Sequence, residues 1–234
     1  MTSFKQRSTE KELMDDLDCS GEELNQTLRE LKTINRWLGG NHVTTLGIQR
    51  LINQKPQERY QLVDIGCGGG DMLRVISDWA EKQGLPIDLE GVDANPNTIE
   101  LAKTRLSDKP SIVLSVQNVF DEDFQKEKAS ILSCTLFTHH FTDEELVALL
   151  RVFQEKVSLG IVINDLHRHP FAYHSIRLLT RIFSKSKMVK NDAPLSVLRS
   201  FSKEDWKRIL GKAGIKNYSL RWFWAFRWQL LIYV

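Results

Sequence analysis

The stretch Leu62-Val63-Asp64-Ile65-Gly66-Cys67-Gly68-Gly69-Gly70 constrains this chain more than any other. A short apolar run carrying one acid breaks into a glycine cluster just before a new amphipathic segment, which reads as a strand, a tight turn and a helix start. Glycines at 66, 68 and 70 remove Cβ atoms where a ligand would lie against bare backbone, and they permit positive φ in the turn. Downstream, Leu89-Glu90-Gly91-Val92-Asp93 ends a second apolar run in a carboxylate 23 residues after Gly70, and Asn95-Pro96 opens a helix. A strand-end acid at this distance is where a nucleotide-type ligand presents its ribose diol. The chain therefore reads as one that binds an adenosine cofactor.

The glycine spacing bears on which one. A dinucleotide site needs a third glycine, in the pattern G-x-G-x-x-G, for helix and strand to pack closely beneath a pyrophosphate. Asp71 stands at that position. An acid at the turn-to-helix junction repels a diphosphate, whereas S-adenosylmethionine has no phosphate and carries a sulfonium and an ammonium beside its carboxylate. The run Asp64-x-Gly66-x-Gly68-x-Gly70 resembles the first motif of the class I S-adenosylmethionine-dependent methyltransferases. The resemblance covers about residues 55 to 234. It implies a cofactor site built on Asp64, Gly66, Cys67, Gly68 and Gly70, with Asp93 on the ribose hydroxyls and Ala94 beside it. It also places Asn118, followed by Val119, where the family often has an Asp accepting from the adenine amino group, and an Asn oxygen accepts equally well. Cys134, at the end of the fourth strand, falls where the family's backbone meets the methionine end of the cofactor. Neither Cys67 nor Cys134 sits beside proline as a nucleophilic methyltransferase cysteine does, so both read as packing residues.

Periodicity and caps give the organisation. Thr9 with Glu12 and Ser20 with Glu23 form two capping boxes, the second stapled by Cys19 and Leu24, and predict two amino-terminal helices. A third is predicted over 43 to 53. Strands at 61 to 65, 87 to 92, 111 to 116, 130 to 135 and 159 to 164 then alternate with helices at 70 to 83, 96 to 106 and 143 to 157, the rhythm of a parallel sheet buried on both faces. Thr142 with Glu145, and Ser202 before Trp206, mark two further helix starts. Residues 218 to 224 and 226 to 234 are apolar and aromatic runs joined by almost nothing, which predicts a hairpin. The expected fold class is α/β: a Rossmann-like, doubly wound sheet, seven-stranded with an antiparallel carboxy-terminal hairpin as the resemblance implies. An amino-terminal helical cap occupies residues 1 to 54 and the methyltransferase domain residues 55 to 234.

At 234 residues the chain can bury a full core without metals or disulfides. Three scattered cysteines and the absence of an apolar leader or a run of ~18 apolar residues predict a soluble, cytoplasmic protein. The net charge of +2 hides an asymmetry: residues 1 to 165 hold 18 Lys and Arg against 27 Asp and Glu, and residues 166 to 234 hold 14 against 3. The basic third raises nucleic acid as a rival acceptor, but no Asn/Asp-Pro-Pro-aromatic segment follows the fourth strand, so no nucleic-acid partner is expected.

Methyl transfer from a sulfonium is an in-line displacement in which the enzyme aligns the reactants and excludes water, and a protonated hydroxyl acceptor also needs a base. Phe137-Thr138-His139-His140-Phe141 follows the fourth strand, and imidazole titrates near neutral pH, so His139 and His140 are the candidate catalytic bases. Asn164-Asp165-Leu166-His167-Arg168-His169 offers only one acid and suits magnesium poorly, so no metal is expected. Between residues 166 and 202, Ala172, Ile176, Leu179 and Phe183 form an apolar stripe at helical spacing, with His174, Arg177, Arg181 and Lys185 on a basic one. This segment reads as a helix with a solvated basic face, as a lid over an apolar acceptor, or as a surface weakly attracted to anionic lipid. Arg168, Ala172, Tyr173 and Ser196-Val197-Leu198-Arg199 resemble bacterial quinone-modifying and polyketide-tailoring methyltransferases. The resemblance implies a small, largely apolar phenolic, quinol-like or polyketide acceptor, methylated on oxygen.

Overall fold

The computed structural model describes residues 3–234, Gln125 by its backbone alone. Seven strands form one sheet: β1 (Tyr60–Ile65), β2 (Ile87–Asp93), β3 (Val113–Val116), β4 (Ala129–Thr135), β5 (Val157–Leu166), β6 (Tyr218–Phe223) and β7 (Arg227–Tyr233). Their order is β3-β2-β1-β4-β5-β7-β6. The first five run parallel, and β7 lies antiparallel between β5 and β6. The predicted hairpin turns through Trp224, Ala225 and Phe226, where Ala225 and Phe226 hold φ of 60° and 56°, the left-handed pair that a tight turn between right-twisted strands needs.

The helices are α1 (Gly21–Trp37), α2 (Gly40–Gln54), α3 (Asp71–Gln83), α4 (Pro96–Arg105), α5 (Glu122–Lys126), α6 (Asp143–Lys156), α7 (Pro170–Phe183), α8 (Lys187–Arg199) and α9 (Lys203–Ala213). They cover both faces of the sheet. Ile48, Leu51, Leu73, Ile76 and Ile99 of α2, α3 and α4 pack with Leu62 and Ile131 on one side. Leu146, Leu150 and Phe153 of α6, with Trp206 and Ile209 of α9, pack on Ile161 and Ile163 on the other. Strands covered on both faces bury nearly every side chain, which is why β4 and β5 are mostly apolar. No helix among the described residues is long and apolar enough to cross a membrane.

The caps of α6 and α9 form as read: Thr142 Oγ1 accepts from Glu145 N–H at 3.2 Å, and Ser202 Oγ from Asp205 N–H at 3.1 Å. The two amino-terminal boxes do not. Thr9 starts no helix; a single 3-10 turn, Leu13–Asp15, follows Glu12, whose N–H donates to Asp15 Oδ2 at 3.0 Å. Ser20 precedes α1, but Glu23 turns away from it and accepts from Ser186 Oγ at 2.7 Å and Met188 N–H at 3.0 Å. The free donors at the start of α8 outcompete the local cap, because a helix amino terminus attracts a carboxylate. The predicted third helix is longer than expected and, as α2, packs against β5 and β7. Residues 166–202 fold as two helices, α7 and α8, the second capped by Ser186. These two, α1 and the 3-10 turn pack together over the carboxyl ends of the strands.

Candidate active site

The carboxyl ends of β1, β2, β3 and β4 frame a cleft of about 380 Å³. Gly66 and Gly68 line it with bare backbone at φ of 66° and 54°, and a Cβ on Gly66 would collide with the ring of Phe137. Gly66 and Cys67 N–H both donate to Val92 O, at 2.9 and 3.0 Å, tying the loop to the end of β2. There Asp93 accepts from Gly68 N–H through Oδ2 and from Asn95 N–H through Oδ1, each at 3.0 Å. Burial raises its carboxyl above the ordinary value even so. Ala94, Asn118 and Val119 complete this wall. Asn118 Oδ1 accepts from Phe120 N–H at 3.1 Å and so also shapes the turn.

Four of the sequence-derived cofactor residues stand behind the cleft. Asp64 is buried in β1, its carboxyl pushed up to about 7 by burial although Ser133 Oγ donates to it at 2.5 Å. Cys67 packs beneath Gly91, Cys134 lies in the sheet core, and burial raises both thiols well above the ordinary range. Gly70, at φ 75°, starts α3 where a Cβ would approach Leu106 Cδ1 to 2.5 Å. Asp71 also faces away: it pairs with Lys32 at 3.1 Å and Arg105 at 3.5 Å in a separate groove. Its charge is therefore neutralised and does not act on the cleft, contrary to the repulsion expected from sequence.

A second cavity, about 560 Å³, adjoins the first. Its walls are apolar: Ile34 and Leu38 of α1, Ile176 and Leu179 of α7, Trp222 and Phe226 of the hairpin. Ala172 also lines it, whereas Phe183, the fourth member of the predicted stripe, is 75% exposed. Met14, Leu136 and His140 line both cavities. Leu136 holds φ of 56°, a left-handed conformation costly for a leucine, at the point where the chain leaves β4.

The histidines stack at 4.4 Å between ring centroids, and each is held by its own carboxylate. His140 Nδ1 meets Asp15 Oδ1 at 2.6 Å, and His139 Nδ1 meets Asp165 Oδ1 at 2.7 Å. Asp165 is fully buried. Burial alone would raise it, but the charge and hydrogen bond of His139, with Thr138 Oγ1 and Leu166 N–H, hold it at about 2. Asp15 is likewise kept well below the usual range: burial is outweighed by hydrogen bonds from His140 and Arg199. Two arginines fix the loop, Arg199 donating to the carbonyls of His139 and His140 at 3.2 and 2.6 Å, and Arg7 to that of Phe141 at 2.7 Å. Glu12 Oε2 accepts from Ser196 Oγ at 2.9 Å, while Oε1 has no partner and lies 3.7 Å from both His139 Nε2 and Arg199 Nε. Burial pushes Glu12 up to about 7.

Glu12, Asp15, Asp165 and Arg199 were not assigned to the site from sequence. In sequence Glu12 reads as a helix-capping partner, and Asp165 only as the one acid in the segment after an apolar strand, weighed against a metal. Glu12, His139 and His140 bring three potential metal-ligating atoms within 4.8 Å of one another. The fixed cation of Arg199 beside Glu12 and Asp15 suits proton transfer better than a divalent ion.

Residues 62–160 match the family model described as a methyltransferase domain. The chain has no match among curated protein sequences. In fold it is similar to the plantazolicin methyltransferase BpumL, solved with S-adenosylhomocysteine, at TM-score 0.64 and 17% identity over 89% of this chain and 87% of that one. Human N-acetylserotonin methyltransferase, solved with S-adenosylmethionine, is similar at TM-score 0.61 and 16% identity, over 91% of this chain and 56% of that one. The CMeT domain of citrinin polyketide synthase is similar at TM-score 0.59 and 15% identity, over 80% and 50%. The sheet order, the glycine loop and the acid at the end of β2 are those of the Rossmann-like fold these methyltransferase structures share. Residues 62–160 of the chain carry a methyltransferase domain on a Rossmann-like sheet.

Proposed function

We propose that the enzyme methylates the hydroxyl oxygen of a small, largely apolar acceptor of phenolic, quinol-like or polyketide type, with His140 as the base. The observation that carries this reading is that, among the described residues, Met14, Leu136 and His140 line both cavities, so the titratable group at their junction is an imidazole. Gly66, Gly68, Asp93, Ala94, Asn118 and Val119 would hold the cofactor, with Asp64, Cys67, Gly70 and Cys134 packing behind them. S-adenosylmethionine supplies the methyl group as an electrophilic sulfonium. Asp15 accepts from His140 Nδ1, which leaves Nε2 as the basic nitrogen. Nε2 takes the acceptor's hydroxyl proton as its oxygen is alkylated, and Asp15 stabilises the imidazolium. His139, clamped between Asp165 and Glu12, is a positioning residue behind it. The apolar walls exclude water from the transfer.

The names of the neighbours support a small-molecule or peptide acceptor, and a concave cavity with mostly apolar walls favours the former over nucleic acid. Transfer of labelled methyl to a panel of apolar phenols tests the base. His140→Ala is expected to lower turnover by about 10² to 10⁴ without changing affinity for S-adenosylhomocysteine. Near-normal turnover in that variant means that proximity alone carries the reaction.

A further inference from the structure

Arg227, at the start of β7, is 1% exposed and lines the larger cavity. Its guanidinium is poorly provided for. Nη1 donates to Asn164 Oδ1 at a long 3.3 Å, and the buried Nε has no partner. The other buried arginines are matched, Arg168 with Asp205 at 2.7 Å and Arg199 with Asp15 at 2.5 Å, as is the half-buried Arg7 with Asp143 at 2.8 Å. Among the described residues no carboxylate lies within ion-pair distance of Arg227. Asp165 is the acid whose charge it feels, but that carboxylate is consumed, Oδ1 by His139 and Leu166 N–H, Oδ2 by Thr138 Oγ1 and His139 N–H. The acids that line the cavity are also committed elsewhere. Glu12 faces the histidines, and Asp192 accepts from Leu13 and Met14 N–H at 2.9 and 3.0 Å.

A second positive group adds to the imbalance. A Cβ on Gly40 would lie 2.8 Å from Arg227 Cζ, so the guanidinium sits at the first residue of α2, the positive end of a 15-residue helix. A buried cation without a counter-charge is destabilising unless something else supplies one. Burial pushes the guanidinium down to about 10, which still leaves it charged at neutral pH. An arginine at such a place presents a planar fork matched to a carboxylate.

We propose that Arg227 is an anion-binding subsite of the acceptor cavity, and that the acceptor carries a carboxylate in addition to the hydroxyl that is methylated. This rests on the cavity being the acceptor site. The substrate class narrows from apolar phenol to apolar hydroxy acid, its carboxylate on Arg227, its hydroxyl at His140 and its body against the aliphatic wall of α1 and α7.

Calorimetry on protein saturated with S-adenosylhomocysteine tests it with three acids, 4-hydroxybenzoate, 4-hydroxycinnamate and dodecanoate, each against its methyl ester. At least one acid is expected to bind ten times more tightly than its ester or better. Arg227→Met is expected to abolish that preference, leave ester binding unchanged and not lower the Tm of the unliganded protein; Arg227→Lys is expected to keep part of the preference. Equal binding of acid and ester, no binding by any pair, a preference that survives in Arg227→Met, or a large fall in its unliganded Tm each overturns the proposal, the last because it makes the cation structural. Failure of the methyltransfer reading shows separately, as no labelled methyl transfer while the acid preference stands.

Discussion

Glu12 shows how a single carboxyl can tie stability to pH. Its folded value of about 7 lies above the ordinary 4.5, so between those two values the folded protein binds more protons than the unfolded chain. Stability contributed by the protonated form is complete below about pH 4.5, falls as pH rises, and is lost above about 7, a swing on the order of 3 kcal/mol. Asp64 pushes in the same direction, so the comparison must be with Glu12→Gln, which keeps the shape and removes the charge. Urea unfolding at a series of pH values should show a flatter profile for Glu12→Gln, with the gap opening above about pH 5; identical profiles would mean that Glu12 is not desolvated. Asp15→Asn should weaken His140 as a base and shift the acid limb of the rate profile to lower pH while leaving cofactor affinity alone, since a carboxamide no longer stabilises the imidazolium. An unmoved limb would separate Asp15 from the proton transfer. The histidines were legible because they sit on one short motif after a strand. Their partners were not: Asp15 lies 125 residues from His140, and Asp165 lies 26 from His139. Only the fold brings them together.

Strong local caps read correctly where nothing competed for them. Thr142 with Glu145 is such a case, and Thr142→Ala should cost about 1 kcal/mol in chemical denaturation, more than a change at an exposed mid-helix position. Ser20 with Glu23 is the opposite case, since the start of α8 offered Glu23 better donors than its own helix did. The stripe on α7 was legible as a period but not as a boundary between cavity and solvent. Ile176→Ala should raise the acceptor's KM and spare cofactor affinity, because Ile176 lines the cavity. Phe183→Ala should change stability by no more than about 0.5 kcal/mol, because that ring faces solvent. Steady-state kinetics that gave the two variants the same KM would contradict this division of the helix.

Across the whole molecule, the first five strands and their parallel sense followed from the alternation of apolar runs and caps, because parallel strands covered on both faces leave little ambiguity in sequence; the seven-stranded arrangement followed from the family resemblance, and the strand order came from the structure alone. The charge asymmetry had no such obvious meaning, and the structure gives it one. Acids of the amino-terminal segment meet the basic 166–202 region: Glu30 accepts from Lys185 and Ser186 N–H at 2.8 and 3.2 Å, Glu23 from Met188 N–H, and Asp15 pairs with Arg199. That contact packs α1 and the 3-10 turn against α8 beside the apolar cavity. The central claim is that these two spaces meet at His140, the cofactor in one and the acceptor in the other. A crystal structure of the complex with S-adenosylhomocysteine tests it most directly. The expected result is the ribose diol on Asp93 and the sulfur beside Leu136 and His140, open to the larger cavity; a sulfur turned away from that junction, or a ribose held elsewhere than Asp93, would contradict it.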